Sequence, residues 1–379
     1  MARQRTTLKQ VAARAGVSVT TVSLVLNDAP ASIGRATRKR VLAIAGELGY
    51  VPSAAARSLA SGRTHTVGLI ICHAEHLIVD AFIPQTLFGM NQVAREHGFR
   101  VLVEAVEDVT RPDAYHELVR AKQIDGLIVL NPRRDDLRLP QLVNDDYPLV
   151  TLGTIPDCDP ARVHTDNHGL AQRATEHLLA LGHRRVGHVT FAPSAYLATD
   201  ERLGGYRAAL AAAGIESDDR DVGVGAFSAA SGAAAARALL DARPDLTALF
   251  CGNDTIAIGV LHALAERGLR VPEDVALVGY DDIPTARFQA PPLTTVRSPA
   301  VAHGQRAMEL VIDMIQGRPI TERAVLLEGT LIVRRSCGAP SELRTPELDA
   351  GATTDAGRLL SDAIESDAAP RQGRTAAAS

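Results

Sequence analysis

Apolar positions recur at helical spacing from the start of the chain, and the period changes after residue 66. In the stretch 7–27, TLKQVAARAGVSVTTVSLVLN, Leu8, Val11, Ala12 and Ala15 mark one face of a first helix. Gly16 breaks it, because a residue without Cβ accepts a sharp turn. Ser18 stands where its hydroxyl can cap a second helix. Val22, Val25 and Leu26 face inward there, which leaves Val19, Thr20, Thr21, Ser23 and Asn27 on an outer face of small, mostly hydroxylic side chains. A third helix is predicted over 35–48 on the stripe Ala36, Val41, Ile44, Ala45 and Leu48, with Gly34 as a weak cap. After Pro52 comes a segment, 53–60, too short to stay helical alone in water.

Beyond the polar linker 61–66 the pattern becomes apolar runs alternating with helical stretches. The runs 67–71, 101–106, 126–130, 149–152, 186–191, 248–251 and 275–280 read as buried strands. The stretches 82–97, 112–123, 169–181, 200–213, 229–241, 254–267 and 299–316 read as the helices between them. Strands alternating with helices imply parallel sheets covered on both faces. The series is too long for one open sheet, so two doubly wound lobes with a ligand cleft between them are expected. The fold class is therefore α/β: an all-helical helix-turn-helix headpiece over 1–62 and a two-lobed domain over 63–338. From 339 to 379 the composition shifts to Ala, Ser, Thr, Pro and acids without sustained apolar periodicity, which predicts a disordered tail.

Charge sharpens the reading of the first part. The whole chain is slightly acidic, with a net charge of −4. Residues 1–62 nevertheless carry Arg3, Arg5, Lys9, Arg14, Arg35, Arg38, Lys39, Arg40 and Arg57 against only Asp28 and Glu47. A basic end neutralises phosphates and releases counterions, the main source of DNA affinity. Two short helices joined by a Gly turn, the second with a polar outer face, form the helix-turn-helix pattern, whose second helix lies in the major groove. The competing interpretation is a helical hairpin that anchors a solute-binding sensor to a partner.

Other classes find little support. Cys72, Cys158, Cys251 and Cys337 are scattered, with neither zinc-ligand spacing nor a disulfide framework. The chain has no Trp and 3% aromatic residues, which argues against a base-stacking mode. No apolar run follows the basic start and none is long enough for a bilayer, so a cytoplasmic protein without membrane contact is expected. Gly223–Gly225 (G-V-G) lacks the rest of a dinucleotide fingerprint. Phosphate-loop, nucleophile-elbow and H-E-x-x-H signatures are missing, so no enzyme and no cofactor is expected.

The headpiece stretch, together with ELGYVPSAAARSLA at 47–60, resembles the DNA-binding region of the lac repressor family (LacI/GalR). The later part is similar to a type I periplasmic-binding-protein fold, the family's effector domain. The resemblance implies a homodimer on a double-stranded DNA operator, controlled by a small-molecule effector such as a sugar. Thr7, Val19, Thr20, Thr21, Ser23, Asn27 and Arg57 are its DNA-contacting candidates. Leu59 is the matching minor-groove wedge, on a hinge helix that orders on DNA. Leu24 departs from the arginine of many members, and Ser53 from the usual asparagine. The loop 72–81 is longer than usual and contains H-A-E-H; His73, Glu75 and His76 suggest a metal, but a solvated loop, or one covering the cleft, is the better reading.

In open α/β sheets ligands meet residues just beyond the carboxyl ends of strands. That rule nominates Asn131, Asp166, Arg202, Asn253, Asp254, Asp281 and Asp282, each of which also suits a cap or turn. The family motifs E-R-L-G-G-Y-R (201–207), N-D (253–254) and G-Y-D-D (279–282) single out Arg202, Asn253 and Asp281 as effector contacts. By the same match Asp254 and Asp282 become structural caps. Phe82 matches the aromatic of the first ligand loop, and Phe191 or Tyr196 could stack a sugar face; plain core packing is the equal alternative for all three.

Overall fold

Three helices build the N-terminal part: α1 (Leu8–Ala15), α2 (Val19–Leu26) and α3 (Arg35–Glu47). The computed structural model describes residues 6–26, 32–50, 58, 62–72, 74–106, 116–156 and 158–346. Thr7 opens α1 with a reciprocal cap: its hydroxyl accepts from the Gln10 N–H, and the Gln10 side chain accepts from the Thr7 N–H at 2.8 Å. Gly16 ends α1 at φ 64°, in the left-handed region where a Cβ is strained. Ser18 caps α2 by accepting from the Thr21 N–H at 3.0 Å. Val11, Ala12, Ala15, Val22, Val25, Val41 and Ala45 are the buried residues of a small separate core.

Two six-stranded sheets follow. The first contains β1 (Thr66–Cys72), β2 (Arg100–Val106), β3 (Gly126–Leu130), β4 (Leu149–Leu152), β5 (Ala161–His164) and β11 (Ala324–Leu326), in the order β11-β5-β4-β3-β1-β2, all parallel. The second contains β6 (Val186–Thr190), β7 (Val222–Val224), β8 (Ala248–Cys251), β9 (Ala276–Asp281), β10 (Thr294–Arg297) and β12 (Thr330–Ile332). Its order is β12-β10-β9-β8-β6-β7, parallel except for β12 against β10.

Between the strands run α4 (His76–Val79), α5 (Phe82–Glu96), α6 (His116–Arg120), α7 (Leu139–Asn144), α8 (Asn167–Ala180), α9 (Leu197–Ala212), α10 (Ala229–Ala242), α11 (Asp254–Glu266) and α12 (Ala300–Gln316). Helix α8 follows β5 yet packs on the second sheet, and α12 follows β10 yet packs on the first. With the passage from β11 to β12, the chain thus crosses between the lobes at 165–166, 298–299 and 327–329. Among the described residues no helix is long and apolar enough to cross a membrane.

The seven strands read from the sequence are all present. The short strands β5, β7, β10, β11 and β12 escaped that reading because each is three residues long or, in β5 and β10, largely polar, unlike the four-residue runs of β4 and β8. The effector portion was drawn to end at 338, but packed chain continues to 346: Ala339 is buried, and Thr345 exchanges two hydrogen bonds with Val333. The rest of the tail, 347–379, lies outside the described residues.

Helices α5 and α12 meet at glycines on both sides. A Cβ on Gly89 would lie 2.1 Å from the Val301 carbonyl oxygen, and one on Gly304 would lie 2.0 Å from that of Thr86. Both obstacles are backbone, so the helices must separate to admit a methyl group. Gly304→Ala is expected to cost about 1–3 kcal/mol of lobe 1 stability, read as a lower denaturation midpoint. An unchanged midpoint would show that the contact has slack.

Candidate functional site

The strand ends of the two lobes face one another across a cavity of about 510 Å³, counted to its open mouth. Lobe 1 contributes Asp80 and Phe82 from the turn into α5, and Asn131 from the end of β3. Lobe 2 contributes Phe191 after β6, Arg202 on α9, Asn253 after β8 and Asp281 at the end of β9. The crossovers add Thr165 and Ser298, and Asn167 and His303 stand just beyond them. Asn131 and Asp281 hold φ of 50° and 110°. Such backbone is costly for a residue with a side chain, and it concentrates at functional sites.

Arg202 is the hub. Its Nε donates to Asn167 Oδ1 at 3.0 Å, and Nη1 donates to the Gly252 carbonyl at 2.5 Å. The guanidinium carbon lies 3.6 Å from the Tyr280 ring centre and 4.6 Å from that of Phe191. Stacking on aromatic faces suits this weakly hydrated cation. Nη2 stands 3.9 Å from Asp281 Oδ1, an ion pair too long for a hydrogen bond. Asn167 continues the network by donating to Glu201, which also accepts from Thr154 of lobe 1 at 2.5 Å. The Arg202 fork is thus already largely engaged within the protein.

Burial governs the remaining ionisable groups. It pushes the Asp80 carboxyl up to about 6, against the opposing pull of the Phe82 N–H and Arg202. Asp281 is raised well above its ordinary value, first by burial and then by Asp254 and Asp80. His303 is lowered to about 4 by burial, and His164 is lowered by burial and by Arg162. Both imidazoles are therefore neutral near pH 7.

All five sequence-nominated effector residues line this one cavity, but two assigned roles need correction. Asn253, rather than Asp254, caps α11: its Oδ1 accepts from the Ile256 N–H at 2.8 Å. Asp254 instead ties β9 to β10, accepting from the Thr295 hydroxyl at 2.6 Å and the Ile283 N–H at 2.9 Å. Asp282 likewise caps no helix; it pairs with Arg297 and Arg334 at 2.8 and 2.7 Å. Asp166 does cap α8, accepting from the Gly169 N–H at 2.8 Å. Phe82 meets the His303 ring edge-on at 5.8 Å. Tyr196 does not line the cavity; it packs on Phe227 and under Arg133.

Asp80, Asn167, Ser298 and His303 were not nominated. Asp80 read as part of an inserted loop, and the others flank crossovers whose strands went unrecognised. The inserted loop itself forms α4, and its His76 ring lies 3.7 Å from the Phe227 ring of lobe 2. This segment spans the lobe boundary beside the cleft. His73, the other histidine of the motif, lies outside the described residues.

At the headpiece, Val19 and Thr20 are exposed at the start of α2, while Thr21 and Ser23 are half-buried. The Thr21 hydroxyl also meets Ser18 Oγ at 2.9 Å, so it is shared with the cap. Thr7 is exposed, and its hydroxyl is engaged in capping α1. Asn27, Ser53, Arg57 and Leu59 lie outside the described residues.

Comparison with known proteins extends these observations along the chain. A family model for bacterial regulatory proteins of the lacI family matches residues 7–53, and one for a periplasmic binding protein-like domain matches 175–337. The HTH-type transcriptional regulator CelR of Thermobifida fusca is 38% identical over 339 residues, covering 88% of this chain and 99% of CelR. The HTH-type transcriptional repressor CytR of Escherichia coli K12 is 33% identical over 335 residues, covering 88% and 96%. A solved CelR–cellobiose complex matches with a TM-score of 0.67 at 36% identity, covering 88% of this chain and 100% of that one. The lac repressor dimer bound to operator and the anti-inducer ONPF matches with a TM-score of 0.77 at 28% identity, covering 89% and 100%. Relatives this similar, aligned across both the helical headpiece and the two lobes, place the protein in the lacI family of DNA-binding transcriptional regulators.

Proposed function

We propose that the protein is a cytoplasmic repressor that binds a palindromic operator as a homodimer, under control of a sugar-class effector held in the cleft. The cleft supports this reading most strongly: both lobes and the crossovers supply polar side chains to one cavity beside stacked aromatics. A ligand there contacts both lobes, so its binding free energy depends on their closure, the condition for linkage to a distant DNA site. Phe82, Phe191, Arg202, Asn253 and Asp281 contact the effector. Residues 1–62 form the headpiece with its hinge segment 53–60, and the effector domain runs from 63 to 346.

On DNA, Val19 and Thr20 set base preference in the major groove, with Val19 against a thymine methyl. Thr21, Ser23, Asn27, Thr7 and Arg57 add base and phosphate contacts, and Leu59 wedges the minor groove. Dimer symmetry imposes operator symmetry.

Selection from a random duplex library at near-physiological salt tests the reading. A palindrome with a central pyrimidine–purine step is expected, since such steps unstack readily. Binding that merely fades with salt, without enrichment, would leave only a basic patch. On the selected operator, Leu59→Ala should weaken specific binding by roughly 10-fold or more, with non-specific binding little changed. Equal losses would remove the wedge.

A further inference from the structure

The N-terminal ends of β1, β2 and β3 lie side by side at the pole of lobe 1 remote from the cleft, and the chain from the headpiece enters there. Three segments, 62–65, 95–100 and 120–125, meet at that point and are tied by backbone. The Arg100 N–H donates to the His65 carbonyl at 2.9 Å, and the Asp125 N–H donates to that of Thr66 at 2.8 Å. The Asp125 carboxylate accepts in turn from the Thr64 and His65 N–H groups at 2.8 and 2.7 Å. The resulting surface is cationic: Arg63, Arg95, Arg100, Arg120 and Lys122 are all exposed, against Glu96 and Asp125. The side chains of Arg95, Arg100, Arg120 and Lys122 have no ion-pair partner among the described residues.

Two contrasts show that this charge is local. Before the neighbouring strand β4 the sign reverses, at the exposed Asp145 and Asp146, so the positive field surrounds the linker and does not cover the whole pole. The corresponding end of lobe 2 has the same strand arrangement but the opposite balance. There Arg220, Arg243 and Arg270 pair with Asp218, Asp221 and Asp274, and acids outnumber cations over 183–185, 218–221, 243–245 and 270–274. Paired arginines must give up a partner to bind an anion; the cations beside the linker need not.

Building on the operator reading above, we propose that this pole of lobe 1 is a second DNA-contacting surface, which grips the sugar–phosphate backbone of the duplex beside the contacts of the headpiece. Chain length brings the duplex within range. Leu59 and Arg63 are four residues apart, at most about 14 Å when fully extended. With Leu59 in the minor groove, the long side chains of Arg100 and Lys122 reach toward the phosphates that flank it. Such contacts position the protein and carry no sequence information. They act on affinity and on its salt dependence, because each neutralised phosphate releases counterions.

The test uses the full-length protein and the duplex selected from the random library, with affinity measured from about 50 to 200 mM salt. A phosphate contact contributes about 0.9 to the slope of log affinity against log salt, and a dimer carries each cation twice. Arg100→Gln/Lys122→Gln should therefore flatten the slope by roughly 2–4 and weaken binding at least ~10-fold at the low-salt end, with the preferred sequence unchanged. Arg100→Lys/Lys122→Arg should keep the wild-type slope. Arg173→Gln, which removes an exposed cation from α8 in lobe 2, should also match the wild type. The melting temperature and effector titration should stay at wild-type values in all three, since these side chains are exposed. A glutamine double variant with the wild-type slope and affinity overturns the inference and leaves the operator reading standing. So does an equal loss in Arg173→Gln, which would assign the effect to net charge. A wild type that enriches no duplex overturns the operator reading, and this surface with it.

Discussion

Arg202→Ala should abolish the effector response while leaving operator binding in place. The guanidinium fills the floor of the cleft between the Tyr280 and Phe191 rings and donates to Asn167 and the Gly252 carbonyl. Its removal strips Asp281 of the cation 3.9 Å away, takes one donor from the Gly252 carbonyl, and leaves Asn167 Oδ1 with the Tyr280 hydroxyl. Loss of one partner from a buried charged arrangement costs about 3–5 kcal/mol, which also loosens the geometry that a ligand must find. The effector concentration for half-maximal operator release is expected to rise by at least ~100-fold, equivalent to about 2.7 kcal/mol of lost binding. A thermal melt run alongside will show whether the lobes remain folded. Arg202→Lys is a second check: an ammonium keeps the charge but cannot reproduce the planar fork, so most of the response should still be lost. If Arg202→Ala responds at the wild-type effector concentration, the ligand is bound elsewhere.

Val22→Ala should have the opposite signature, with operator binding lost and effector binding intact. Val22 is fully buried in a headpiece core of small side chains, and that core draws on no described residue beyond Tyr50. Removing two methyl groups there costs roughly 2–3 kcal/mol once the cavity is counted. A unit of this size buries a small fraction of its chain surface and has little stability in reserve. Specific operator affinity should fall more than ~100-fold, while the melting transition of the lobes and their ligand titration remain at wild-type values. A melting transition of the lobes that shifts with the mutation would show that the two parts fold as one. The pair of variants thus separates DNA recognition from ligand sensing.

The cleft shows how far local reading of the chain reaches. Arg202, Asn253 and Asp281 were nominated because they follow strand ends or match family motifs, and they line one cavity. The cap of α11 fell to Asn253 rather than Asp254, because both types cap helices and accept hydrogen bonds equally well. Only the placement of Thr295 and Ile283 beside Asp254 decides which residue does which. Asp80 offered no signal at all; its meaning depends on Asp281, which lies far away along the chain.

By itself the sequence determined the headpiece, the alternation of strands and helices, and the basic charge of the DNA-binding end. Those features rest on side-chain periodicity, caps and composition, which act over a turn or two of backbone. Tertiary structure decided the rest. The three crossovers hand α8 to lobe 2 and α12 to lobe 1, which brings Thr165, Ser298 and His303 to the cleft. The meeting of the two lobes then brings Asp80 to the same cavity as Arg202 and Asp281. Neither arrangement has a local signature, because both arise from packing between segments distant in sequence, where burial rather than residue type sets the protonation and the partner of each group.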